Sequence, residues 1–184
     1  MARRAGGKGS GVWRDLGGIS RRVLPAVAVP WLAHDGSLTE KLARHFATEI
    51  TVQPDFEGSA AFHRDETPLL PGPAARGHVR EIALLAGGMP VVAARTVVPV
   101  DSRRLTARVR RLGTRPLAEL LFAAGAPRCR VRQIARLRPD MPAHALAGRL
   151  STEGPRWARR SLFEIAGECL LVTEIFLPPV IGTD

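Results

Sequence analysis

Two pairs of apolar, β-rich segments, each folded back on itself by a tight turn, constrain this chain more than any other feature. Residues 78–86 and 89–99 are joined through Gly87-Gly88, and residues 157–166 and 169–177 around Gly167-Glu168. Glycine reaches positive φ without steric cost, so such junctions mark two-stranded hairpins. Hairpin strands pair antiparallel. Residues 49–57, with Pro54 suited to an edge, and residues 130–137 read as two further strands. The expectation is an α+β protein: a single six-stranded, largely antiparallel sheet with a few helices packed on it. Ser37-Leu38-Thr39-Glu40 is a capping box, and Leu42 and Phe46 continue the helical spacing of Leu38. Pro116 opens and Gly125 ends a short helix carrying Leu117, Leu120 and Leu121. The arginine-rich stretch 102–112 is a third candidate helix, whereas 58–77 and 138–155 read as loops.

The 184 residues are 45% hydrophobic, enough for one domain with a core of its own. Residues 1–22 mix Arg, Gly and Ser with little periodicity and are expected to form a mobile basic tail, with 23–184 as the domain. A net charge of +10 would suit a polyanion, but only Lys8 and Lys41 are lysines, aromatic residues make up 5%, and tyrosine is absent. Platforms for stacked bases would be scarce, so no nucleic-acid partner is expected. Gly6-Gly7-Lys8-Gly9-Ser10 lacks the spacing of a phosphate loop. No apolar stretch reaches the roughly 18 residues that span a bilayer. The segment 23–32 is interrupted by Pro25 and Pro30, unlike a secretion signal. A cytoplasmic protein without stable membrane insertion is expected. Cys129 and Cys169 lack CxxC spacing and read as reduced thiols, and the five histidines show no metal-binding spacing.

Charges stand inside the strand patterns. In 170–178, Glu174 shares a strand face with Leu170, Val172 and Phe176. A carboxylate on such a face needs a partner or a proton. Arg80 sits in a similar run, 79–85, and Arg95 shares a face with Val91, Ala93 and Val97. Arg80 and Glu174 are either a structural ion pair within the sheet or members of a polar site. Arg95 is either a second carboxylate ligand or the structural partner of an acid. Arg103, Arg104, Arg108, Arg110 and Arg111 either steer an anion or form a solvated helix face. Arg159 and Arg160 alternate next to a strand, so one of them is expected to face inward.

Several motifs, in register along the chain, resemble the chorismate pyruvate-lyase family, bacterial enzymes that form 4-hydroxybenzoate for ubiquinone. They are Trp31-Leu32 with Gly36-Ser37-Leu38-Thr39, Val79-Arg80-Glu81-Ile82, and Ala94-Arg95-Thr96-Val97-Val98-Pro99. Leu112-Gly113-Thr114-Arg115-Pro116-Leu117 with Leu121-Phe122, Trp157-Ala158-Arg159-Arg160-Ser161 and 171–178 complete the set. The resemblance covers most of 31–179. It implies a six-stranded antiparallel sheet that encloses its ligand under flaps, and an enzyme with no metal or organic cofactor. The family's arginine for the benzoate carboxylate falls on Arg80, and its acid at the hydroxyl end falls on Glu174. Backbone groups at Leu38 and Leu117 supply further contacts. Chorismate and 4-hydroxybenzoate are the implied partners, and a monomer is expected. The reaction breaks the C3–O bond of chorismate and removes the C4 hydrogen, and Glu174 would either protonate the leaving group or orient the hydroxyl. The alternative is a non-catalytic sensor or binding domain of the same fold. Residues 138–155 form a longer link before the Trp157 motif than the resemblance implies, and the segment before Trp31 matches nothing in the family pattern.

Overall fold

The computed structural model describes residues 13–20, 24–73, 75–123, 127–151 and 156–182. Among these residues the strands are β1 (Arg14–Asp15), β2 (Ile50–Ala61), β3 (Arg76–Ala86), β4 (Met89–Pro99), β5 (Arg128–Arg136), β6 (Trp157–Ile165) and β7 (Glu168–Phe176). The helices are α1 (Val29–Leu32), α2 (Leu38–Phe46), α3 (Arg103–Arg110), α4 (Leu117–Phe122) and α5 (Pro142–Gly148). All strands belong to one sheet of order β1-β5-β6-β7-β4-β3-β2, antiparallel throughout. The sheet therefore has seven strands, not the expected six. The additional strand, β1, is two residues long and lies in the stretch read as a tail, too short for alternation to reveal. Residues 6–10 and Gly125 lie outside the described residues.

Both hairpins form. Gly87 and Gly88 (φ 56° and 85°) close β3 onto β4. The second turn is Ala166-Gly167 (φ 51° and 81°), one residue earlier than expected, with Glu168 opening β7. Positive φ at both central positions matches the twist of the flanking strands. Ser37 Oγ accepts the Glu40 N–H at 3.3 Å, as the capping box requires. The segment 138–155, read as a loop, contains α5, which Pro142 opens at its first position.

Register sorts the side chains into transverse rows, because alternate residues of paired strands stand side by side on one face. On the first face one apolar row, around Leu84, Val92 and Phe176, is covered by α1 and α2. Another, around Val98, Leu170 and Phe163, is covered by α3 and α4. Two mixed rows lie between them: Arg80, Thr96, Val172, Ser161 and Arg132, then Ile82, Ala94, Glu174, Arg159 and Ile134.

The opposite face repeats the plan. A row of Val79, Val97, Leu171 and Leu162 packs under Phe62 and Leu70, and a row of Ala83, Ala93, Ile175 and Ala158 packs under α5. Between them runs Glu81, Arg95, Thr173, Arg160, Gln133 and Asp15.

Gly77 marks the closest approach within the sheet. A Cβ there would overlap the Val98 carbonyl oxygen of β4 and stand 2.7 Å from Phe62 Cζ. Relief requires moving backbone, so Gly77→Ala should cost about 2 kcal/mol or more. Thermal unfolding should register this as a melting temperature lower by about 4–8 °C.

Candidate active site

A cavity lies over the mixed rows of the first face. Its floor is Ile82, Leu84, Ala94, Thr96, Val172, Glu174, Arg159, Phe163 and Arg132. Its roof comes from Asp35 to Thr39 and from Pro116 to Phe122. Each roof segment carries the start of a helix, α2 or α4, where first-turn N–H groups have no acceptor within the helix. The mostly apolar lining, interrupted by a few polar side chains, suits a small ligand oriented by those groups.

Glu174 projects into this cavity and is held by its neighbour across the strand pair. Arg159 Nε donates to Glu174 Oε2, and Nη2 donates to Oε1 at 3.2 Å. Arg159 Nη1 donates to the carbonyls of Trp31 (3.0 Å) and His34 (2.6 Å). One buried guanidinium thus joins the acid, the strands β6 and β7, and the turn that leads into α2. Both carboxylate oxygens accept charge-assisted hydrogen bonds from Arg159. The remaining lone pairs are free to accept a ligand hydroxyl.

Arg80 is 1% exposed and stands in the same face as Glu174, two strands and one two-residue step away. That places the two Cα atoms about 12 Å apart. They do not pair. Arg80 Nη2 donates to the carbonyls of Gly113 (2.6 Å) and Arg115 (3.0 Å), fixing the turn that runs into α4. Its Nε is buried with no hydrogen-bond partner and lies 3.8 Å from Glu57 Oε2. Burial lowers its pKa, partly offset by Glu57. Arg80 is not itself in the cavity lining, but its row neighbour Thr96 is.

Leu38 and Leu117 line the cavity from the first positions of α2 and α4. Arg95 does not. It belongs to the opposite face, where Nε bonds Glu66 Oε1 at 2.8 Å and Nη1 bonds Glu81 Oε1 at 2.6 Å. Of its two readings, the geometry matches the structural partner of an acid. Both Arg159 and Arg160 are buried, one on each face. Arg132, which sequence reasoning passed over, lines the cavity from β5. Its alternation with Ile134 was the available signal, weakened by the many arginines around it. Among the described residues no group of three or more His, Cys, Asp or Glu side chains is placed to hold a metal ion. No helix is long and apolar enough to cross a membrane among those residues.

These features define an α+β protein with a cavity between one sheet face and two helix starts that presents an acid and guanidinium groups to its contents. A family model described as chorismate lyase matches residues 11–183, and the chain belongs to that family. It is 36% identical to a probable chorismate pyruvate-lyase of Methylococcus capsulatus, over 83% of this chain and 95% of the relative. It is 32% identical to the chorismate pyruvate-lyase of Hamiltonella defensa, over 90% and 85%. The fold is shared with a GntR-family transcriptional regulator from Bacillus cereus (TM-score 0.53, 10% identity, 74% of this chain and 97% of that one). It also matches the ligand-binding domain of a putative GntR-family regulator from Bordetella bronchiseptica (TM-score 0.50, 16% identity, 70% and 83%).

Breaking a buried ion pair from one side leaves an uncompensated charge. Arg159→Ala should therefore cost about 3–5 kcal/mol in denaturant unfolding, with Arg159→Lys milder, although lysine cannot span both oxygens and both carbonyls. His34 gives a pH dependence. Burial lowers its imidazole pKa, the bond to the Ser37 carbonyl opposes this, and Lys41, Arg159 and Arg44 add to the lowering. The unfolded chain then binds the proton more readily, so this stability is present above about pH 6.5 and is lost as pH falls through the depressed folded value. Melting temperatures from pH 7 to 5 should fall less steeply in His34→Gln than in the parent.

Proposed function

We infer that the protein is a chorismate pyruvate-lyase, converting chorismate to 4-hydroxybenzoate and pyruvate. The observation that carries this reading is an acid projecting into a largely apolar cavity, with the buried Arg80 on the same sheet face two strands away behind Thr96, in a chain of the chorismate lyase family. The regulators share only the fold, at 10–16% identity, whereas relatives with the enzyme's name align over most of the chain.

The ring carboxylate lies toward Arg80, whose buried Nε makes no hydrogen bond and has Glu57 at 3.8 Å, with the N–H groups of Leu38 and Leu117 closing over it. The C4 hydroxyl lies toward Glu174 and donates to the oxygens that Arg159 orients. Cleavage of the C3–O bond releases enolpyruvate as the C4 hydrogen passes to its methylene carbon, giving pyruvate and an aromatic ring. Aromatisation supplies the driving force. The residues hold the substrate in reactive geometry, exclude water and stabilise charge developing on the leaving group. In this reading Glu174 acts as a positioning acceptor, not as the proton donor.

Incubation with chorismate should release pyruvate and 4-hydroxybenzoate in equal amounts. Tight 4-hydroxybenzoate binding without pyruvate release would instead identify a binding domain. Glu174→Gln should lower kcat by about 10- to 100-fold, and full turnover in this variant would remove Glu174 from the mechanism. Arg80→Ala should weaken 4-hydroxybenzoate binding by about 10- to 100-fold.

A further inference from the structure

Chorismate carries two carboxylates, and the assignments above place only one. The second belongs to the enolpyruvyl group on C3, the ring carbon next to C4. It must therefore lie at the Glu174 end of the cavity, away from Arg80. Two guanidinium groups line that end, those of Arg159 and Arg132. Arg159 is committed, since its Nε, Nη1 and Nη2 are all engaged by Glu174 and by the carbonyls of Trp31 and His34.

Arg132 is differently placed. It occupies the far end of the row that begins with Arg80, so the two arginines flank Glu174 from opposite sides, each two strands and one two-residue step away. Nε donates to Ser161 Oγ at 3.2 Å and Nη1 to the His34 carbonyl at 3.0 Å, which fix the plane of the group. Its Nη2 donates to no described residue. Its anionic partner is Asp35, and the mismatch in burial is large: the Arg132 side chain is 12% exposed, the Asp35 side chain 90%. A carboxylate so hydrated holds its partner weakly, because an exposed ion pair contributes little and is screened by salt. Arg132 also borders the surface groove formed by Leu16, Gly17, Ala33, Asp35 and Cys129, so it stands between that groove and the cavity.

We propose that Arg132 recognises the enolpyruvyl carboxylate, exchanging Asp35 for it when the substrate enters. The exchange conserves charge pairing: a hydrated surface acid is released, and a carboxylate held inside the cavity replaces it. The planar fork already fixed by Ser161 and His34 needs little further ordering. As the C3–O bond breaks, the same group holds the departing enolpyruvate. This proposal rests on the lyase reading. It goes further in assigning discrimination between substrate and product, since 4-hydroxybenzoate lacks the carboxylate that Arg132 binds.

The experiment compares two ligands in the full chain. Arg132→Gln should lower kcat/KM for chorismate by about 10- to 100-fold, while the Kd for 4-hydroxybenzoate changes by less than about threefold. Arg132→Lys should recover part of the loss. Asp35→Asn removes the competitor, so its KM for chorismate should fall or stay level, with 4-hydroxybenzoate affinity unchanged. Equal weakening of both ligands in Arg132→Gln would show a merely structural role and overturn the proposal, as would no change in either. A parent protein that releases no pyruvate would overturn the lyase reading instead. In that case the ratio of chorismate to 4-hydroxybenzoate affinities, parent against Arg132→Gln, still decides whether Arg132 reads the second carboxylate.

Discussion

The pairing of Arg159 with Glu174 is the interaction on which the cavity depends. Two opposite charges on neighbouring strands would be expensive to bury separately. Held through two oxygens, with the carbonyls of Trp31 and His34 taking the remaining donors, they form a closed polar unit. The unit contributes little net stability by itself. Its effect is geometric: it ties the turn before α2 to β6 and β7, so the start of α2 is held over the sheet and the space beneath stays open. Arg80 does the same on the other side by bonding the carbonyls of Gly113 and Arg115 ahead of α4. Each roof segment is therefore fastened by an arginine rooted in the sheet.

The opposite face shows the same chemistry satisfied by partners within the protein. Arg95 is filled by Glu66 and Glu81, and Arg160 bonds Gln133 at 2.8 Å and the Asp65 carbonyl at 2.8 Å. Desolvation pushes the Arg160 pKa down to about 10, with Asp65, Glu66 and Asp15 acting against it, so the group keeps its charge near neutral pH. Its guanidinium lies 4.3 Å from the Trp13 ring, and Trp13 Nε1 donates to Asp65 at 2.7 Å. Gln133 then donates to Asp15 at 3.0 Å, beside the register that makes β1 a strand. The arginine-heavy composition has a local explanation here. Arg80, Arg95, Arg156, Arg159 and Arg160 are all buried, and the planar fork that satisfies several acceptors at once suits those places better than lysine would.

What the sequence makes legible follows from the range of each interaction. Alternation over nine or more residues marks β3, β4, β6 and β7, and the turn chemistry of Gly87-Gly88 pairs β3 with β4. The capping box at Ser37 marks α2 because its donors and acceptors are three residues apart. Strand β1 is invisible to the same reasoning, since two residues carry no period and the bonds that fix it reach Gln133 and Asp65. Helix α5 hid among the prolines of 138–155, although Pro142 is a helix opener. The acid at Glu174 was conspicuous by alternation, but the identity of its partner was not. Register decides that Arg159 stands opposite Glu174 and that Arg80 stands two strands away. Register is set by the whole sheet. The place of Arg80 and Glu174 at a ligand came from family resemblance, whereas strand patterns alone left them equally readable as a structural pair.

The charges around the cavity also bear on the order in which ligands leave. Glu174 with Arg159 forms a neutral pair, Arg80 has Glu57 within 3.8 Å, and Arg132 has Asp35. A dianion entering this set finds no unbalanced positive field. Its binding rests on exchange of partners, and the hydrated Asp35 is the acid displaced most easily. If Arg132 takes the enolpyruvyl carboxylate, cleavage divides the two anionic ends between two products. Pyruvate then carries off the carboxylate that displaced Asp35, and nothing in 4-hydroxybenzoate takes its place. Asp35 re-forms its pair with Arg132 while the ring still lies between Arg80 and Glu174. On that assignment the turn from Asp35 into α2 would close over the remaining product, and release of 4-hydroxybenzoate would be the step that such a closure slows.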